Sequence, residues 1–175
     1  RLIHMIVHDF DSDFLPGSIH FATGSSRDYR TLERFHYLPR RPATWASVWC
    51  AWYVPRVAPP VLAGVAVLSH PPAVHRLRHR TFELDNRSYG EKLRWANAHM
   101  RTISRVIVHP QFRSLGLARR LIRCCIEGSS TRYVEAAARM GIAHPMFTAA
   151  GMIRVTGEAN EPLYFWIDRN ASPTH

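Results

Sequence analysis

Two rhythms of apolar and polar residues run along this chain. Alternating or unbroken stretches of β-branched and aromatic residues predict strands at HMIVHDF (4–10), SIHFATG (18–24), TWASVWCAWYV (44–54) and VLAGVAVLS (61–69), then at TISRVIVH (102–109), RYVEAAA (132–138) and PLYFWID (162–168). The third and fourth, joined across a Pro-containing turn, read as a hairpin. Helical spacing appears after the candidate caps Ser25 and Ser26, where Tyr29, Leu32, Phe35 and His36 share one face until LPRRPA breaks the pattern. It returns over 115–127, where Leu115, Ala118, Leu121, Ile122, Cys125 and Ile126 form a stripe with Arg119, Arg120 and Arg123 off it. SYGEKLRWANAH (88–99) and HPMFTAAGM (144–152) read as further helices, the second short and ending at Gly151. The order is ββαββ, an irregular insert over 70–101, then βαβαβ. That pattern predicts an α/β (or α+β) chain with a mixed sheet.

The 175 residues, 46% of them hydrophobic, suit one domain over 1–175 with a core of its own. No apolar stretch approaches the ~20 residues of a membrane span, and RLIHMIVHDFDSDF lacks the apolar region and cleavage site of a secretory signal. Cys50, Cys124 and Cys125 make neither a disulfide framework nor a metal spacing, so a reducing cytoplasm is expected. The net charge of +10 comes almost wholly from arginine, Lys92 being the one lysine. It fits anionic partners, and it equally fits a GC-rich genome.

The candidate chemistry lies between strand 102–109 and helix 115–127. Arg113-Ser114-Leu115-Gly116-Leu117-Ala118 is a strand-to-helix bend whose free N–H groups and helix dipole favour a phosphate or pyrophosphate. Gly116 and Ala118 let the backbone come close. There is no Gly-Lys-Ser/Thr and no triple-glycine dinucleotide fingerprint.

At these residues the chain resembles the GNAT superfamily of acyl-CoA-dependent N-acyltransferases, whose pyrophosphate turn reads Gln/Arg-x-x-Gly-x-Gly/Ala after a hydrophobic strand ending near Pro. RTISRVIVHPQFRSLGLARRLI, VEAAARMGIAHPMFTAAGM and LERFHYLPRRPAT further resemble a branch sometimes fused to ABC-type ATPase domains. The resemblance implies a mostly antiparallel sheet flanked by helices, with two strands splayed to admit the cofactor, acetyl-CoA or another short acyl-CoA, and no metal. It implies that the backbone of Val106, Ile107 and Val108 pairs with the pantetheine arm. The N–H groups of Ser114, Leu115, Gly116, Leu117 and Ala118 would hold the diphosphate, with charge from Arg113 or Arg119, and the Val106 N–H would face the oxyanion. It implies direct acyl transfer to an amine.

The catalytic groups depart from the family pattern. Phe147 stands where many relatives place a proton-donating tyrosine, and Thr102 and Ser104 where a glutamate is usual. Glu135 is the best-placed carboxylate, as base, water-positioner or structural ion-pair partner; Ser104, His144 and His109 are lesser candidates. Tyr133 and Tyr164 read as packing residues, and the cysteines as helix and core packing. His75 and His79 have metal-ligand spacing, but the surrounding arginines oppose a cation. In the insert, Arg76, Arg78 and Arg80 among interleaved aromatics suit a nucleic-acid partner. The competing reading is a solvated flap whose aromatics, Phe82, Tyr89 and Trp95, plug the core. The acceptor is then an amine on a nucleic acid, a small molecule or a protein, and the alternative is a non-catalytic acyl-CoA-sensing or nucleic-acid-binding module. Monomer and homodimer both fit.

Overall fold

The computed structural model describes residues 6–8, 17–36, 41–138, 145–158 and 161–171. Within them eight strands form one sheet: β1 (Ile6–His8), β2 (Gly17–Thr23), β3 (Ser47–Pro55), β4 (Val61–Ser69), β5 (Met100–Val108), β6 (Tyr133–Ala138), β7 (Ile153–Val155) and β8 (Leu163–Asp168). Their spatial order is β1-β2-β3-β4-β5-β6-β8-β7. Every neighbouring pair is antiparallel except β5 and β6, which run parallel. Helices α1 (Ser26–Leu32), α2 (Arg76–Thr81), α3 (Tyr89–His99), α4 (Leu117–Glu127) and α5 (Met146–Ala149) flank the sheet. This is the expected α/β class with a mixed, mostly antiparallel sheet.

Two apolar cores lie on opposite faces of the sheet. On one face α4 and α5 bury Leu117, Leu121, Ile122, Phe147 and Met152 against Ile103, Val134 and Phe165. On the other, Tyr29 and Leu32 of α1 cover Val48, Val65, Val67 and Ile107. Each large side chain so buried stabilises the fold by about 1.5–3 kcal/mol. α4 carries its apolar stripe inward and its arginines outward, but it starts two residues later than its spacing predicts. Gly116 sits in the left-handed region at φ 72° and stops the helix there; Leu115, now in the turn, still packs on the core. Gly64 of β4 lets α4 lie close, because a Cβ there would stand 2.9 Å from Leu121 Cδ1.

Three features depart from the sequence reading. β7 is a three-residue edge strand, too short to show alternation. Helix α2 emerges from HRLRHR, which has no apolar stripe; His75 caps it by accepting from the Arg78 N–H, and Leu77, Arg78 and His79 are its buried residues. Finally, β5 is not a plain strand. Its pairing with β4 slips between Val67 and Leu68, leaving Ser104 as the extra residue of a bulge. Past the bulge the alternation is re-phased. Ile103, Val106 and Val108 face α4, while Ile107 faces α1.

Candidate functional site

The parallel ladder between β5 and β6 is short. It pairs Met100 with Tyr133, Arg101 with Val134, Thr102 with Glu135 and Ile103 with Ala136, and there it ends. Beyond it β5 continues to Val108 on the β4 side, and β6 continues to Ala138 on the β8 side. The two strands therefore part immediately before the Ser104 bulge. Because Val106, Ile107 and Val108 send their side chains to the two faces, what they present to the gap is main chain.

The gap leads to the turn. His109 closes β5: its N–H donates to Ala63 O (2.9 Å), its Nδ1 accepts from Gln111 N–H (3.3 Å), and its ring packs edge-on against Phe35. A single 3-10 turn, Pro110–Phe112, follows. Ser114 then takes φ 68° and Gly116 φ 72°. A left-handed conformation costs an L-residue roughly 1–2 kcal/mol, so Ser114 holds a strained bend of the sort that concentrates at functional sites. Two such residues two positions apart curl the chain into a concavity where N–H groups converge. Among the described residues, no backbone carbonyl accepts from the N–H groups of Ser114 to Arg119. Among the described residues, a Cβ on Gly116 would meet nothing within 4 Å, so with respect to them this turn stands open.

It opens onto a cleft of about 590 Å³ lined by Val108, Phe112, Arg113, Ser114, Gly116, Leu117, Ala118 and Arg119 on one side and by Pro145, Met146 and Ala149 of α5 on the other. That volume lies within the ~300–1,000 Å³ of small-molecule and cofactor sites. Arg113 and Arg119 are exposed at its mouth. Uncapped amides and two arginines thus meet mostly apolar walls; of β5, Val108 is on that lining, and the strand edge behind it runs back to Ser104, whose carbonyl accepts from Arg105 Nη1 (2.6 Å). The Leu115 side chain turns to the core.

The polar residues on the far face of the sheet are arranged differently from expectation. Glu135 is 1% exposed. Its two oxygens accept from Arg78 Nε (3.0 Å) and Nη2 (3.1 Å), from Thr102 Oγ1 (2.7 Å) and from Tyr164 Oη (2.8 Å). Four bonds fill a carboxylate. Of the roles weighed for Glu135, this geometry is that of an ion-pair buttress. Tyr164, expected to pack, is instead a hydrogen-bonding member of the cluster; burial, then the Glu135 charge, pushes its phenol pKa well up, so it stays a donor. Ser104 shares a 2.7 Å hydrogen bond with Ser69, whose hydroxyl also donates to Thr44 O. Phe147 is buried and stacked on Phe165. His144 lies outside the described residues.

Of the three arginines expected at a nucleic acid, the structure removes Arg78. It is fully buried on Glu135 and Pro72 O, beyond the reach of any nucleic acid. Arg76 pairs with Glu158 and Glu161, and Arg80 is exposed. Of the insert's aromatics, Phe82 packs against Trp95, Tyr133 and Trp166, whereas Tyr89 is 61% exposed. The insert is therefore in large part a fixed cover over β6 and β8. Among the described residues no group of His, Cys, Asp and Glu could hold a metal ion, and no helix is long and apolar enough to cross a membrane. The three cysteines are free and buried, and burial raises the thiols of Cys50 and Cys124 to about 12.

No protein-family model matches the sequence, and no curated protein matches it either. Solved structures do. The NatC complex bound to Gag peptide and CoA superimposes with a TM-score of 0.53 at 15% identity, covering 85% of this chain and 95% of that one. Arylalkylamine N-acetyltransferase 2 from Aedes aegypti gives 0.51 at 16%, covering 87% and 99%. The ribosomal-protein-S18-alanine N-acetyltransferase from Escherichia coli gives 0.50 at 10%, covering 85% and 90%. At such identities the likeness is one of fold, and that fold this chain shares.

Proposed function

We propose that this chain, which has the GNAT fold, is an acyl-CoA-dependent N-acyltransferase that takes acetyl-CoA or another short acyl-CoA and passes the acyl group to an amine. One observation carries the reading: the edge of β5 that parts from β6 after Ile103 runs on to Val108, where it meets the cleft that the uncapped turn at Ser114–Arg119 lines. A turn alone would suit many anions, and a splay alone would be a flaw in a sheet. Together they match a long ligand with a diphosphate near one end and amides along its arm. When bound, acyl-CoA supplies an activated thioester.

The chain's own residues then do three things. The N–H groups of Ser114 to Arg119, with Arg113 and Arg119, hold the diphosphate without proton transfer. The edge of Ser104–Val108 fixes the arm, and a main-chain donor there, Val106 N–H, faces the developing oxyanion, an effect worth about 3–4 kcal/mol in other acyl transfers. Alignment of the reactants contributes about 7 kcal/mol or more. Attack of a neutral amine on the thioester carbon breaks the C–S bond and expels coenzyme A as a thiolate; with Glu135 saturated and Phe147 apolar, water takes the proton from the amine and supplies one to the thiolate. The same two residues favour the second reading, a domain that binds acyl-CoA and does not turn it over.

Thiol release from acetyl-CoA, followed over a panel of small amines, polyamines, tRNA and amine-modified DNA, separates the two. Release accelerated by one class of amine establishes the transferase and names its acceptor. Binding heat without release selects the sensing domain. No heat with any short acyl-CoA removes both.

A further inference from the structure

An arginine with no exposed surface needs a reason. Removing a guanidinium from water costs several kcal/mol, and apolar residues of similar volume often stabilise a core as well as a buried ion pair does. What an apolar plug lacks is direction. Arg78 reaches from α2 to fork onto both oxygens of Glu135 on β6, and its Nη1 and Nη2 donate to Pro72 O at 2.9 Å. Glu135 in turn accepts from Thr102 on β5 and Tyr164 on β8. One carboxylate thus ties three strands to the insert.

Its place in the sheet is specific. Thr102 and Glu135 form the second-to-last pair of the β5–β6 ladder; Ile103 and Ala136 are the last, and the Ser104 bulge follows. The cluster sits one pair before the point where β5 and β6 part. On its other side the insert is fastened to the β6–β8 half: Arg76 to Glu158 and Glu161, the His75 ring 4.8 Å from that of Tyr164, and Phe82 against Tyr133 and Trp166. Within the cluster, Thr102 is the arm that crosses to β5.

We propose that Arg78 is a positioning residue which, through Glu135 and Thr102, sets where β5 and β6 part and so couples the insert to the cleft. Its consequence for ligand binding rests on the acyl-CoA reading above; the coupling itself does not. Coupling of this kind is reciprocal: a ligand that draws β5 and β6 into one geometry also steadies the insert, and an insert held in place favours that ligand.

Two variants of the full chain test it. Thr102→Val cuts the crossing arm and leaves the ion pair intact, and Arg78→Met combined with Glu135→Leu removes the pair without stranding a buried charge. Without ligand, hydrogen exchange at Met100–Ile103 and Tyr133–Ala136 is expected to speed up by about tenfold or more, the loss of a charged hydrogen bond, with β2 and β3 unchanged. Unchanged exchange there, or a rise spread evenly over the sheet, overturns the coupling. In calorimetry, both variants should weaken CoA about tenfold while leaving ADP, which engages the turn alone, unaffected. Equal losses for CoA and ADP would reduce Arg78 to a general stabiliser. If the unaltered chain binds neither, the acyl-CoA reading falls while the exchange data still decide the coupling.

Discussion

Substitution of Gly116 separates what the turn costs from what it holds. With φ at 72° and no atom of the described residues within 4 Å of the Cβ position, Gly116→Ala meets no clash among them. It carries only the left-handed backbone cost of about 1–2 kcal/mol, partly offset by the roughly 0.4–1 kcal/mol that alanine gains by restricting the unfolded chain. A net loss of about 1 kcal/mol lowers the Tm of a chain this long by about 2–4 °C. Gly116→Glu carries the same backbone cost but projects a carboxylate into the cleft, where the diphosphate belongs. Acetyl-CoA at a hundredfold over its Kd stabilises the unaltered protein by about 2.7 kcal/mol, a rise of roughly 5–11 °C. Thermal unfolding with and without acetyl-CoA should show that rise largely kept in Gly116→Ala and absent in Gly116→Glu, with similar ligand-free Tm values for the two variants. A full ligand shift in Gly116→Glu would refute the placement of the diphosphate on this turn.

Three further outcomes follow from the packing. Gly64→Ala brings a methyl within 2.9 Å of Leu121 Cδ1 and should cost about 1–3 kcal/mol; Leu121→Ala should cost about 2–5 kcal/mol. Urea unfolding of the double variant should show less than the sum by at least ~0.5 kcal/mol, and strict additivity would mean that α4 does not rest on Gly64. Burial holds His75 and His79 below the ordinary histidine value, and Arg78 adds to the effect in both, though Glu135 opposes it at His75. The unfolded chain therefore takes up protons first as pH falls through ~6.5, so stability should decline from about pH 7 to 5.5, with a shallower slope in His79→Gln; urea midpoints that rise on acidification would contradict this. Finally, the buried thiols of Cys50, Cys124 and Cys125 should react with a disulfide reagent only after denaturation. Rapid labelling of Cys124 or Cys125 in the native protein would show α4 to be loosely packed.

The hairpin β3–β4, the stripe of α4 and the turn were readable because each is a local pattern: alternation, helical spacing, and a glycine at the start of a helix. What could not be read is non-local or sub-threshold. The Ser104 bulge arises from the register against β4, which TISRVIVH does not encode by itself. β7 spans three residues, fewer than one clear alternation. Glu135 in the apolar strand YVEAAA signals that some cation must meet it, but its partner Arg78 lies 57 positions away in a segment with several arginines and no apolar stripe. The same absence of stripe hid α2, a helix held by a histidine cap and a buried arginine. Expecting Arg78 at a nucleic acid followed from composition, which counts charges without saying which are buried.

The central claim is that the main chain of β5 and of the following turn holds one ligand. Amide chemical shifts of the 15N-labelled protein, recorded while CoA is added, test it most directly. Concerted shifts at Ser104–Val108 and Ser114–Arg119 that saturate together, with β2 and β3 silent, are expected. Saturable binding that leaves both segments unmoved, or moves them independently, would contradict it.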